Sequence, residues 1–180
     1  CLVGSEMCIR DRRNPVTCGS IEHKMGIKAS ATAVLNFDKA KGYLIGPENK
    51  GLNCMFTFMN TARIGTAIQG LTAAELAFQG GLSYAKERLA MRALSGAKAP
   101  EQVADPIIVH PAVRNMVLTC KAFAEGGRAL VYYLSQFSDV VTKGEGETQA
   151  YADQMLSFLT PIAKAFLTET GYEAANHGVQ

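Results

Sequence analysis

Five cysteines, at positions 1, 8, 18, 54 and 120, and three histidines, at 23, 110 and 177, are the side chains of this chain best suited to holding a metal or attacking a carbonyl. Their spacing does not serve either purpose. There is no CxxC pair and no histidine at zinc-ligand distance from a cysteine, which speaks against a metal site. No serine or cysteine stands in a nucleophile motif, so hydrolysis has no support. Glu75, Glu87, Glu125 and Glu173 read as surface or interhelical carboxylates, and no catalytic acid or base is named among them. What remains is polar chemistry at the two ends of one segment: Asn60-Thr61-Ala62-Arg63 near its start and Tyr84-Ala85-Lys86-Glu87-Arg88 near its end.

That segment, Leu52 to Arg92, runs about 40 residues without a proline, and as one helix would span roughly 60 Å at 1.5 Å per residue. A helix of that length must be packed along most of itself. Met55, Met59, Ala62, Thr66, Gln69, Ala73, Leu76 and Ala77 recur at helical spacing and are the expected core stripe. Gly65, Gly70, Gly80 and Gly81 each cost about 1 kcal/mol against alanine inside a helix, so close helix contact or ligand approach is expected there.

The bulk properties narrow the partners. The 180 residues carry 18 basic and 16 acidic side chains, a net charge of +2, without the concentrated positive field that nucleic acid or an anionic membrane requires. The densest apolar run, Ala129 to Leu134, is too short for a membrane span. Cys54 and Cys120 fall on apolar stripes as reduced cysteines do, which points to a soluble, cytoplasmic protein.

Residues 1–12, Cys1-Leu2-Val3-Gly4-Ser5-Glu6-Met7-Cys8-Ile9-Arg10-Asp11-Arg12, show neither strand nor helix periodicity and resemble a translated sequencing adapter, so a non-native leader is expected. Residues 13–50 read as β. In Ala31 to Asp38 the side chains of Ala33, Leu35 and Phe37 alternate with Thr32, Asn36 and Asp38, predicting a half-buried strand, with weaker strands over Val16 to Ile21 and Gly42 to Ile45. Gly46-Pro47-Glu48-Asn49-Lys50-Gly51 is the turn into the long helix. A second helix starts at His110-Pro111 and carries Val113, Met116, Val117, Cys120, Phe123, Ala124, Leu130, Leu134 and Phe137 inward. After Lys143-Gly144-Glu145-Gly146-Glu147, a third stripe runs through Tyr151, Met155, Phe158, Leu159, Ile162, Phe166 and Leu167, with Pro161 expected to kink this helix or begin a new one. The sequence stops at Asn176-His177-Gly178-Val179-Gln180 without a helix stop signal. The fold expected is mostly α: residues 51–180 form an incomplete four-helix bundle, after the last strands of a β domain at 13–50.

Taken in order, Ile21 to Thr32, Gly46 to Gly51, Arg63, Tyr84-Ala85-Lys86-Glu87-Arg88, Lys164-Ala165-Phe166 and Gly178-Val179-Gln180 resemble the C-terminal part of the acyl-CoA dehydrogenase family over residues 14–180. The loop from Ser95 through Arg114 is similar to the branch that contains 3-methylmercaptopropionyl-CoA dehydrogenase. The resemblance implies an FAD enzyme that oxidises an acyl-CoA thioester to the 2,3-enoyl-CoA. A glutamate takes the α proton, hydride passes to the flavin, and electron-transfer flavoprotein receives the electrons. It also implies a homo-oligomer, dimer or tetramer, with FAD between the β domain, the bundle and a neighbouring subunit. A flavin oxidase or monooxygenase of the same fold, or a non-catalytic helical assembly module, are the alternatives.

By the same resemblance, Arg63 lies near the substrate and Asn60 contacts its CoA side; otherwise they are an interhelical pair and a solvated face. Arg88 matches the arginine that approaches the FAD pyrophosphate from a partner subunit, a task suited to a guanidinium fork, or else forms an intrahelical ion pair. His110 and Gln180 align with further FAD contacts, or are a helix-start histidine and a plain terminal glutamine. Two departures stand out. Ala90, Met91 and Arg92 replace a small hydroxyl, an aromatic and a glycine, so one flavin hydrogen bond is expected to be missing. Ala62 occupies the position where some relatives carry the base, which places the base in a loop beyond Gln180.

Overall fold

Alternation of apolar and polar residues gives two antiparallel strands, β1 (Val16–Ile21) and β2 (Ala33–Phe37). The computed structural model describes residues 14–180, apart from the side chains of Thr57 and Asn60; the leader expected over residues 1–12 lies outside the described residues. Val16 pairs with Phe37 and Cys18 with Leu35, but Ser20 pairs with Val34, so Gly19 is the extra residue of a bulge. A Cβ there would stand 2.8 Å from the Asn36 amide nitrogen. Outside the ladder, the Asn14 side chain bonds both backbone groups of Lys41, at 2.9 and 3.0 Å. Two expectations fail in this region. Gly42 to Ile45 is not a strand, because its backbone pairs with neither β1 nor β2. The strand expected to be half-buried is exposed at Val34, Leu35 and Phe37, since a two-stranded ribbon has no second layer to cover it.

The chain divides into two compact units, one ending at Gly51 and one from Leu52 to Gln180. The second contains α1 (Gly51–Glu87) from its second residue on, α2 (Pro111–Lys143) and α3 (Gly146–Val179). Pro111 occupies the first turn of α2, where its missing N–H costs nothing. Gly144 caps the other end, its N–H donating to the Val140 carbonyl at 2.7 Å. α1 stops at Glu87 rather than at Arg92, because the backbone groups beyond it pair across a loop instead of along the helix. α3 runs unbroken through Pro161, which is exposed, as is Ser157, so the carbonyl that loses its helical donor is left on the wet side.

The seam joining the three helices consists mostly of small residues. On α1 the buried positions are Ala67, Gly70, Leu71, Ala74 and Ala85. α2 buries Cys120, Ala124, Gly127, Val131 and Leu134, and α3 buries Ala152, Leu156, Thr160, Ala163, Leu167, Thr170, Gly171 and Ala174. These interlock in three clusters: Ala67, Leu71, Val131 and Leu167; Ala74, Cys120, Ala124 and Ala174; Leu134, Leu156 and Ala163. Gly70 and Gly171 mark where the backbones of α1 and α3 touch, Gly70 against the Leu167 carbonyl and Gly171 against the Gly70 carbonyl. Of the four glycines on α1 where close helix contact or ligand approach is expected, only Gly70 makes the helix contact; a Cβ at Gly65, Gly80 or Gly81 would meet no protein atom within 4 Å.

This corrects two expected stripes. On α1, Met55, Ala62, Gln69 and Leu76 are exposed; on α3, Tyr151, Phe158, Ile162 and Phe166 are. Both helices are apolar around most of their circumference, and close backbone approach selects the face with the shortest side chains. A salt bridge between Glu75 of α1 and Arg128 of α2 fixes the register of those two helices at the edge of the seam. The Glu75 carboxyl is held below its usual range by the Gln79 amide and the Arg128 guanidinium, against an opposing push from burial.

Candidate functional site

Where α1 ends, the chain builds a corner from backbone pairs. The Arg88 N–H donates to the Tyr84 carbonyl at 2.8 Å, and the Arg88 carbonyl accepts from the Ile107 N–H at 2.8 Å. Leu89 pairs with Pro106 in an isolated antiparallel bridge. Ala90 N–H donates to the Asp105 carbonyl at 3.0 Å, and Asp105 N–H returns to the Met91 carbonyl at 2.9 Å. Met91 turns the chain with φ at +61°, a left-handed conformation uncommon for a side chain of its size. The histidine that precedes α2 closes the corner: His110 Nε2 lies 2.8 Å from the Ala90 carbonyl.

Inside the loop sits Asp105, with a side chain 0% exposed. Its Oδ1 accepts from the backbone N–H groups of Lys98 at 2.9 Å and Ala99 at 2.8 Å and from Arg92 Nη1 at 3.1 Å. Its Oδ2 accepts from the Ala93 N–H at 2.9 Å. The Ala93 N–H first, then those of Ala99 and Lys98 and the Arg92 guanidinium, outweigh burial and hold this carboxyl well below the usual carboxylate range. Arg92 also donates to the carbonyls of Ala99 and Gln102. Sequence reasoning missed both residues. Arg92 was assigned to the helix end, and its partner lies 13 residues away across a loop with no periodicity.

The predicted site residues fall in two places. Arg88 and His110 share the corner; Arg88 is exposed and, among the described residues, forms no ion pair. Gln180 lies at the same end of the helices, lining a cavity of about 410 Å³ together with Gly81, Tyr84, Ile107, Met116 and Cys120. Asn60 and Arg63 stand at the other end of α1, Arg63 being 25 residues before Arg88, or roughly 37 Å along the axis. Arg63 is half-buried, with its guanidinium 5.8 Å from the centre of the Phe56 ring. Asn60 lies on α1, but its side chain falls outside the described residues.

The donor set at the corner fits an anionic ligand that also carries amide and carbonyl groups. Arg88 offers a guanidinium fork and Gln180 a primary amide, whereas His110, whose Nε2–H is given to the Ala90 carbonyl, presents Nδ1 as an acceptor in the neutral ring. The carboxylates set aside in the sequence have local partners: Glu75 pairs with Arg128, Glu125 with Lys121, Glu173 with His177, and Glu87 accepts from Ser83. Among the described residues no group of three or more histidine, cysteine or acidic side chains is placed to hold a metal, and no helix is long and apolar enough to cross a membrane.

Comparison with known proteins adds lineage to this geometry. Residues 49–180 match the family described as "Acyl-CoA dehydrogenase, C-terminal domain". The chain is 46% identical over 169 residues to a 3-methylmercaptopropionyl-CoA dehydrogenase of Ruegeria pomeroyi, a match covering 94% of this chain and 28% of the relative. It is 34% identical to a butyryl-CoA dehydrogenase of Syntrophomonas wolfei and 32% identical to a broad-specificity linear acyl-CoA dehydrogenase of Mycobacterium tuberculosis, each match covering 93% of this chain and 28% of the relative. The chain thus spans a little over a quarter of the length of these relatives.

Proposed function

The chain belongs to the acyl-CoA dehydrogenase family, and from that premise we propose that it forms part of an FAD enzyme that oxidises an acyl-CoA thioester to the 2,3-enoyl-CoA. The observation that carries this reading is the corner itself. Arg88 and His110, two of the three residues matched to cofactor contacts, are tied to one backbone ladder, and the Arg88 guanidinium is exposed without an ion pair among the described residues.

In this reading Arg88 holds the pyrophosphate of FAD bound in a neighbouring subunit, with His110 and Gln180 as further contacts to the cofactor. FAD, when bound, supplies the hydride acceptor. At the far end of α1, Arg63 and Asn60 face the acyl-CoA. The separation of roughly 37 Å between Arg63 and Arg88 along α1 supports their serving two different active sites of a dimer or tetramer. No residue of this chain is assigned as the base. Similarity to the Ruegeria protein makes 3-methylmercaptopropionyl-CoA the first substrate to test; electron-transfer flavoprotein is the proposed acceptor and the cytoplasm the proposed location.

The test is anaerobic reduction of the flavin in the full-length protein by 3-methylmercaptopropionyl-CoA and by butyryl-CoA, with the enoyl-CoA identified by mass. Arg88→Ala is expected to weaken FAD retention at least tenfold. A full-length protein that purifies colourless and takes up no flavin overturns the proposal, and one that turns over only with oxygen favours the oxidase alternative.

A further inference from the structure

Arg88 and His110 are 22 residues apart, and the loop between them contains neither a long helix nor a strand that could set their relation. What sets it is the ladder between residues 88–91 and 105–107, and the centre of that ladder is Asp105. Its backbone pairs with Ala90 and Met91, while its side chain gathers three N–H groups and a guanidinium from residues 92–99. We propose that Asp105, clasped by Arg92, is the positioning residue of the cofactor-contacting corner, holding Arg88 and His110 in the one arrangement that lets both meet the same ligand. This rests on the reading of Arg88 and His110 given above, and adds to it two residues that touch no ligand themselves.

Three features support the assignment. First, the carboxylate is wholly buried and every donor around it comes from the same loop, so it organises that loop and not the helical seam. Secondly, the His110 ring bonds to the carbonyl of Ala90, whose N–H is in turn bonded to Asp105; ring and carboxylate residue are linked through a single peptide unit on each side of Ala90. Thirdly, Met91 adopts a left-handed φ of +61° between two tied neighbours, Ala90 bonded to Asp105 and Arg92 to the Asp105 carboxylate, and its own carbonyl accepts from the Asp105 N–H. Both carboxylate oxygens accept only, so an asparagine there must aim its NH2 group at an N–H donor and lose at least one bond.

The experiment uses the full-length protein with Asp105→Asn, Arg92→Ala, Arg92→Lys and Arg88→Ala, and the double variant Arg88→Ala/Asp105→Asn. Two readouts are taken: amide hydrogen exchange at Ala90 and Ile107, and the FAD dissociation constant measured by flavin fluorescence on the apoprotein. Asp105→Asn is expected to speed exchange at both amides at least tenfold and to raise the dissociation constant about tenfold, with Arg92→Lys milder than Arg92→Ala. In the Arg88→Ala background, Asp105→Asn is expected to add clearly less than it does alone, because part of its effect runs through Arg88 and only the part through His110 remains. Unchanged exchange overturns the proposal. So does an additive effect in the double variant, or faster exchange with unaltered FAD binding. If the parent protein binds no FAD, the functional reading fails and the exchange data alone decide whether Asp105 sets the corner.

Discussion

Glycine-to-alanine exchange at three helical positions separates backbone contact from simple propensity. Each exchange gains about 1 kcal/mol of helix propensity, so the differences between them measure what the new methyl group meets. At Gly126 of α2 it meets nothing within 4 Å, and the full gain of about 1 kcal/mol is expected. At Gly127 it comes to 2.8 Å from Leu167 Cδ2 and 3.2 Å from Leu71 Cδ1, both ends of side chains able to shift, so gain and overpacking nearly cancel. At Gly171 it meets the Gly70 carbonyl group, with the Gly70 Cα at 2.8 Å, and backbone cannot rotate aside. The cost there belongs at or above the top of the usual overpacking range of about 1–3 kcal/mol, leaving a net loss of about 2 kcal/mol. Thermal unfolding followed by helical circular dichroism reads these values at about 3 °C per kcal/mol for a chain of this size. The melting temperature should fall by about 6 °C for Gly171→Ala and rise by about 3 °C for Gly126→Ala. If Gly171→Ala melts at or above the parent, the α1–α3 backbone contact is not what holds the seam together.

Two further outcomes follow from charge and burial. The depressed pKa of Asp105 stabilises the fold fully above the ordinary carboxylate value of about 3.9, and that contribution is lost as the pH falls from there towards the lower folded value; melting temperatures should therefore drop less steeply in Asp105→Asn than in the parent below about pH 4, and in parallel above it. Cys120 is buried, its Sγ 3.6 Å from the Ala174 carbonyl and its thiol pKa raised by desolvation, so alkylation mapped by peptide mass spectrometry should modify Cys18, which is exposed, well before Cys120; equal rates would contradict the packing of α2 on α3.

How far the molecule was legible in its sequence depended on side-chain size. Pro111 and Gly144 marked the ends of α2 correctly, and alternation from Ala33 to Phe37 marked β2, because these signals are local. The inward face of α2 was also read correctly at Cys120, Ala124 and Leu134. The seams of α1 and α3 were read only in part, at buried Leu167 and at Ala77 and Leu159, which pack against the core. Hydropathy favours large side chains, so Met55, Phe158 and Ile162 drew the expected stripes, whereas contact between backbones selected Ala67, Gly70, Ala74, Ala163, Gly171 and Ala174. Pro161 was expected to kink the helix or begin a new one, because it removes a helical N–H; on an exposed face the orphaned carbonyl is solvated and the helix continues. At the candidate site, Arg88 and His110 entered only through family resemblance, and their cofactor role belongs to the proposed function. Arg92 and Asp105 were not legible, since an ion pair 13 residues apart in an irregular loop leaves no periodic trace.

The contact between Gly70 and Gly171 also has a mechanical meaning. It grips α1 at an off-centre point, with Arg63 seven residues before it and Arg88 eighteen after it, arms of about 10 Å and about 27 Å. α1 is in effect a lever with unequal arms. A rigid rod of those proportions, tilted about that point, would carry its Arg88 end about two and a half times as far as its Arg63 end and in the opposite direction, which is a geometric reason for the longer arm to be tied at its tip by the ladder to residues 105–107.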